Sequence, residues 1–296
     1  MVAMKFVTFR KAGGRAEAGV LVEDQVISLA GAGFSDMFAI LAGGLLARTK
    51  IDNWICQPPA PGVFPLASVR LLAPLPRPPK FICVGLNYRD HAAETGMEMP
   101  KTPTIFSKFS NVVIGPGDPI VLPANSTRPD YEAELAFVIG KGGRHIVAQN
   151  WRDHVFGYTI VNDVTARDFQ FATTQWLVGK SFDTFAPMGP AIVTEDEIPD
   201  PHALDISLEI GGETLQKSNT RELIFQIPEI LAHLSSVVTL EPGDVVATGT
   251  PAGVGFARKP PRYLQPGDEV VITIQGIGEL RNPCVAEPRP AAGSTG

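Results

Sequence analysis

Between residues 74 and 287 the apolar residues come in short β-branched or aromatic runs closed off by turns, a punctuation that only a sheet-rich core accommodates. Phe81-Ile82-Cys83-Val84, Leu135-Ala136-Phe137-Val138-Ile139, Tyr158-Thr159-Ile160-Val161 and Val270-Val271-Ile272-Thr273-Ile274 have the length of strands and are too short for buried helices. Three times Pro-Gly-Asp stands just before an apolar run, at 116–118, 242–244 and 266–268. Proline presets φ at one turn position, glycine accepts positive φ at the next, and the chain leaves extended, so each is a strand entrance. Helix is predicted only over 92–97, 168–175 and 223–235 in this stretch.

Ahead of it, KFVTF, AGVLVE and QVISL read as strands and 35–50 as a helix. Prolines crowd 58–79 and disfavour helix and central strand alike. The expected organisation is therefore a small N-terminal α+β domain over 1–72, a mainly β domain with some α over 73–287, and a flexible tail over 288–296. A chain of 296 residues with 44% apolar and 19% charged residues suits such a pair of globular units. The balance of 25 basic against 31 acidic residues, with no Lys/Arg block, excludes a nucleic-acid partner. The most apolar stretch, 37–46, is about half a membrane span, so no membrane partner is expected. Cys56, Cys83 and Cys284 lie far apart without CxxC spacing, and the first ten residues read as a strand, which together predict a cytoplasmic protein.

The chemistry is concentrated in carboxylates. In Asp130-Tyr131-Glu132-Ala133-Glu134-Leu135 the acids occupy every second position, so a strand puts all of them on one face. An isolated pair of this kind reads as a solvated strand edge. Here the strand runs on into five consecutive apolar residues, which implies burial on both faces, and buried like charges need a cation or protons between them. Asp163 follows another apolar strand and supplies a third acid. If Glu132, Glu134 and Asp163 converge, the all-oxygen ligand set favours a hard cation, Mg²⁺ first, with Mn²⁺ or Ca²⁺ possible. Asp130 is expected to orient its neighbours, and Asp168 to cap a helix or pair with Arg167.

His91 and Glu94, at i and i+3 of a predicted helical turn, form a candidate acid–base pair, with the carboxylate fixing the tautomer of the imidazole. Their alternative is a surface contact. Lys180 stands alone in an apolar, glycine-containing stretch, where it would neutralise the acids or steady an oxyanion, its alternative being a structural salt bridge. Residues 248–255, GTPAGVG preceded by threonine, form a glycine-rich loop without the lysine and spacing of a phosphate loop.

Taken in order, GLNYRDH, FSKF followed by IGPGD, DYEAEL, NDVTARD, QWLVGKSFD and GTPAGVG resemble the fumarylacetoacetate hydrolase family across about residues 74–287. The resemblance implies a mixed, largely β-sandwich roll with a small N-terminal domain, usually as a homodimer. It implies a divalent metal on Glu132, Glu134 and Asp163, a His91–Glu94 acid–base pair as in the shorter acylpyruvate hydrolase and oxaloacetate decarboxylase members, and substrate-facing Gln170, Lys180 and Thr250. Tyr88 and Arg89, beside His91, complete the substrate-binding candidates. Fumarylacetoacetate hydrolase itself has a further aspartate ligand upstream of its histidine, where GLNYRDH has Asn87. The expected activity is metal-dependent cleavage of the C3–C4 bond of a 2,4-dioxo acid to pyruvate and a carboxylic acid. Oxaloacetate decarboxylation, isomerisation of an unsaturated 2-oxo dicarboxylate, and a metal-stabilised structural oligomer are the alternatives.

Overall fold

The structure, a computed structural model, describes residues 4–58 and 61–288, so all of the expected tail but Pro288 lies outside the described residues. A 12-stranded sheet runs in the order Val63–Pro65, Gln25–Ser28, Ala16–Val22, Lys5–Lys11, Ala186–Thr194, Val155–Asn162, Ala133–Ile139, Val245–Ala247, Phe81–Gly85, Thr104–Ser107, with Val69–Leu72 and Val113–Ile114 pairing off that path. A five-stranded sheet runs Glu213–Asn219, Asp205–Ile210, Glu269–Ile274, Gly278–Ala286, Ile120–Leu122. The mainly β character read from the sequence is what the chain adopts. The three N-terminal strands form where expected, and Lys5–Lys11 pairs antiparallel with Ala186–Thr194, so the N-terminal meander continues the large sheet.

Alternation along Ala133–Ile139, every residue of which is buried, explains the layering. Leu135 and Phe137 face a core shared with Leu208, Ile272 and Leu280 of the smaller sheet and with Ile230 and Leu234 of the helix Ile227–Val237. Ala136 and Val138 face the opposite core, closed by Met37, Ile40, Leu41 and Ile51 of the helix Met37–Cys56. A strand sandwiched this way has no solvent face, which is why its sequence does not alternate. Each fully buried large apolar side chain contributes about 1.5–3 kcal/mol.

All three Pro-Gly-Asp segments are strand entrances built alike. Gly117, Gly243 and Gly267 have φ of 75°, 92° and 95°. The aspartate that follows accepts from the backbone N–H three residues before it, Asp118 from Gly115 at 2.9 Å, Asp244 from Glu241 at 2.8 Å and Asp268 from Gln265 at 2.7 Å.

Helix ends differ from the expected ones for local reasons. The helix expected at 92–97 is Arg89–Thr95 and stops at Gly96, whose left-handed φ of 66° closes it. The one expected at 223–235 starts only at Ile227, where Pro228 fits the first turn and Glu229 accepts from the Gln226 N–H at 2.8 Å. The one expected at 168–175 splits into Arg167–Gln170 and Leu177–Lys180, with Thr173 turning the chain between them through its hydroxyl bond to the Gln175 carbonyl.

Candidate active site

Two antiparallel pairings bring the acids together. Ala133 stands opposite Asn162 in the large sheet, and Asp130 opposite Thr165 in a two-stranded ladder. Between them the Asn162 side chain accepts from the Glu132 N–H at 3.0 Å, and the Asp163 N–H donates to the Glu132 carbonyl at 2.9 Å. Glu132, Glu134 and Asp163 are thereby all buried, with one oxygen of each within 4.8 Å of the others.

Three cations hold this cluster. Lys180 Nζ lies 2.8 Å from Glu132 Oε2 and 2.7 Å from Asp163 Oδ2. Arg167 donates to Glu132 Oε1 at 2.7 Å and to Asp130 Oδ2 at 2.8 Å, and Lys108 Nζ reaches Asp163 Oδ1 at 2.6 Å. Burial by itself would raise the Glu132 carboxyl, but Lys180 and Arg167 overcome it and hold its pKa down at about 2. Glu134 differs. Among the described residues no cationic side chain pairs with it, and its Oε2 accepts only a backbone N–H, from Gly249 at 2.8 Å. Burial first, then the charges of Asp163 and Glu132, push it well above the usual carboxylate range. Hard oxygen donors that repel one another fit a divalent cation.

His91 Nδ1 lies 3.2 Å from Glu94 Oε2, and Glu94 Oε1 accepts from the Gly253 N–H at 2.9 Å. With Nδ1–H donating to the carboxylate, Nε2 is the free base. The glycine-rich loop thus orients the pair and also touches Glu134. Gln170 accepts from Arg167 at 2.9 Å through Oε1, which leaves its amide N–H groups for a ligand. Thr250 accepts from Gln216 at 2.8 Å.

These groups surround one cavity of about 60 Å³, lined among others by His91, Glu132, Glu134, Arg167, Gln170, Lys180 and Thr250. A wider groove of about 650 Å³ along residues 105–110 and the end of the helix Ile227–Val237 holds none of the acids. Aromatic rings close the smaller cavity. Phe256 lies edge-on to His91 at 6.5 Å and over the Arg167 guanidinium at 4.5 Å, and Phe106 lies under Lys180 at 4.9 Å. Low-dielectric walls strengthen every charge interaction inside.

Tyr88 and Arg89 are outside the cavity wall. Tyr88 is fully buried, and Arg89 donates to the carbonyls of Arg221 and Leu223 at 3.1 and 2.9 Å, bracing the scaffold. Asn87 is likewise used up structurally, donating to Phe225 and Thr248 carbonyls and accepting from the Phe225 N–H. Asp168 takes neither expected role: it lies inside the helix Arg167–Gln170, whose N-cap is Ala166, and accepts from the Ser126 hydroxyl and from the N–H groups of Thr127 and Phe169. Asp130 does orient its neighbours, accepting from Tyr131, Gly255, Phe256 and Arg167. Sequence reasoning missed Lys108, Arg167 as a partner of the acids, and Phe256. Lys108 carried the same signal as Lys180, a lone lysine among aromatic residues in FSKF.

Gly179 sets where Lys180 sits. A Cβ there would lie 2.7 Å from Gln170 Cα and 2.9 Å from the Ala166 carbonyl, both backbone atoms. Gly179→Ala is therefore expected to destabilise by about 1–3 kcal/mol in urea unfolding. An unchanged midpoint would mean that the segment gives way freely.

A family profile described as fumarylacetoacetate (FAA) hydrolase C-terminal matches residues 80–285. The chain belongs to the fumarylacetoacetate hydrolase family. It is 50% identical over 224 residues to "Oxaloacetate tautomerase Fahd2a, mitochondrial" of Rattus norvegicus, covering 75% of this chain and 72% of the relative. Fumarylacetoacetate hydrolase from psychrophilic Exiguobacterium antarcticum is 39% identical with a TM-score of 0.85, over 96% of this chain and 100% of that one. Maleylpyruvate hydrolase from Sphingobium sp. SYK-6, solved with manganese(II) and pyruvate, is 34% identical with a TM-score of 0.80 over the same shares. The chain is accordingly a family enzyme with a small-molecule substrate, and its buried acidic trio is a site able to hold a metal ion. Among the described residues no helix is long and apolar enough to cross a membrane.

Proposed function

We propose that this chain is a divalent-cation-dependent enzyme that moves a proton at C3 of a small 2-oxo dicarboxylate, interconverting the keto and enol forms of oxaloacetate. The cavity carries the reading. At about 60 Å³ it is far below the roughly 300–1,000 Å³ of pockets for larger ligands, and it is lined by a base, a carboxylate trio and fixed cations. Arg167, which is buried in its wall, keeps Nη2 without a hydrogen-bond partner, a donor available to a substrate carboxylate. The similarity to an oxaloacetate tautomerase supports the same substrate.

Glu132, Glu134 and Asp163 are the residues that would hold the cation, Mg²⁺ by choice, and its chemistry there is Lewis-acid polarisation of the 2-oxo group, which acidifies C3. His91 Nε2 takes the C3 proton while Glu94 stabilises the imidazolium. Lys180 adds fixed positive charge to the wall against which the enolate oxygen develops, and Arg167 and Gln170 seat a carboxylate. The proton returns to C3 or to the oxygen, and no water is consumed.

The second reading is C3–C4 hydrolysis of a 2,4-dioxo acid, favoured by the same His91–Glu94 pair, which would then activate water for attack at C4. The free Cys83 and Cys284, both buried, support a reducing compartment, which we take to be the cytoplasm, and the family resemblance supports a homodimer. The test follows the ultraviolet absorbance of enol-oxaloacetate with Mg²⁺, Mn²⁺ or EDTA, beside pyruvate release from acetylpyruvate and from oxaloacetate. Accelerated enol decay that EDTA abolishes is the expected result. Faster release of pyruvate from acetylpyruvate would transfer the assignment to hydrolysis, faster release from oxaloacetate would transfer it to decarboxylation, and no acceleration of any of them would overturn both readings.

A further inference from the structure

Lys108 has a side chain with no exposed surface, and its ammonium donates to Asp163 Oδ1 at 2.6 Å and to the Val164 carbonyl at 3.0 Å. A buried ammonium costs desolvation, and this one stands across a single carboxylate from Lys180, a second buried ammonium. Fold stability gives no reason to keep both. What the pair does is divide Asp163. Oδ1 belongs to Lys108, while Oδ2 shares Lys180 with Glu132 and so adjoins the trio.

We propose that Lys108 is a positioning residue that reserves Asp163 Oδ1, confines Asp163 to one-oxygen ligation of a divalent cation, and lowers the affinity of the trio for that cation. The inference rests on reading the trio as a cation site. A carboxylate that ligates through both oxygens takes two coordination positions, so holding one back leaves a position for a chelating substrate. Two effects of removing Lys108 oppose each other. Losing an orienting partner weakens metal binding, and losing a positive charge one carboxylate away strengthens it. In a buried site the charge effect is the larger, since ammonium and dication repel across a few ångströms of low dielectric.

The test is Mn²⁺ titration of the full chain, by calorimetry and by the electron paramagnetic resonance of free Mn²⁺. Lys108→Gln and Lys108→Met are expected to bind Mn²⁺ about tenfold more tightly than the unaltered protein, and Lys108→Arg, which keeps the charge, within about threefold of it. A lysine needed only for the fold would lower the unfolding temperature without tightening Mn²⁺. Equal or weaker binding by folded Lys108→Gln overturns the proposal. A crystal structure of the unaltered protein with Mn²⁺ keeps the test independent of variant folding, because a bidentate Asp163 would also overturn it. If the unaltered protein binds no Mn²⁺, the cation-site reading falls and the proposal with it, a result distinct from binding that Lys108 does not influence.

Discussion

Replacing Glu132 with glutamine is expected to weaken Mn²⁺ binding by about 100-fold or more and to reduce enol-oxaloacetate turnover by about 10³-fold. The amide keeps the shape and removes the charge on which Lys180 and Arg167 converge. Both cations retain another partner, Asp163 for Lys180 and Asp130 for Arg167, so the fold should survive. The cost to stability is placed at about 3 kcal/mol, the lower end for breaking a buried ion pair. Calorimetric titration and urea unfolding read the two effects separately. Turnover retained in Glu132→Gln would remove the trio from the mechanism, whatever happened to stability.

The His91→Ala enzyme is expected to lose turnover to the same extent, about 10³-fold, but to keep its Mn²⁺ affinity within about threefold. The His91 side chain bonds Glu94 and meets the edge of Phe256, and among the described residues no hydrogen bond joins it to the trio, so its removal leaves the cation site in place. Glu94 keeps its bond from Gly253 and remains oriented. Added imidazole should restore part of the rate, because the missing function is a proton acceptor rather than a structural contact. Normal turnover in His91→Ala would eliminate both the tautomerase and the hydrolase schemes as written.

The two variants differ because the cation ligands and the base stand on different elements. Buried charges on strand ends form one part of the site and a short helix the other, with the glycine-rich loop donating to both, to Glu134 from Gly249 and to Glu94 from Gly253. The ionic part is not a device for stability, since its desolvation offsets most of its attraction. A buried cluster of this kind is what makes the trio the candidate functional site.

What could be read from the residues alone was whatever a few neighbours decide. Proline, glycine and aspartate at 116–118, 242–244 and 266–268 carry their own turn, so their three strand entrances followed from local geometry. The apolar run behind the acids implied burial of the strand, and Glu132 and Glu134 do meet, but the single strand read through all three acids is broken, and Asp130 pairs in its own short ladder and binds Arg167 instead. The His91–Glu94 spacing implied contact within one helical turn. Tertiary structure alone decided which charge meets which. Lys108 and Asp163 are 55 residues apart, Lys180 and Glu132 48, and Arg167 and Asp130 37. Over such distances no periodicity connects the partners, and Arg167 could be assigned to adjacent Asp168 as readily as to the acids it holds. Arg89 shows the converse, a charge beside the site residues in sequence that the fold turns to backbone carbonyls. Short-range sterics and period are properties of the chain, whereas the pairing of buried charges is settled only when segments distant in sequence close over them and desolvation forces each charge to the nearest partner.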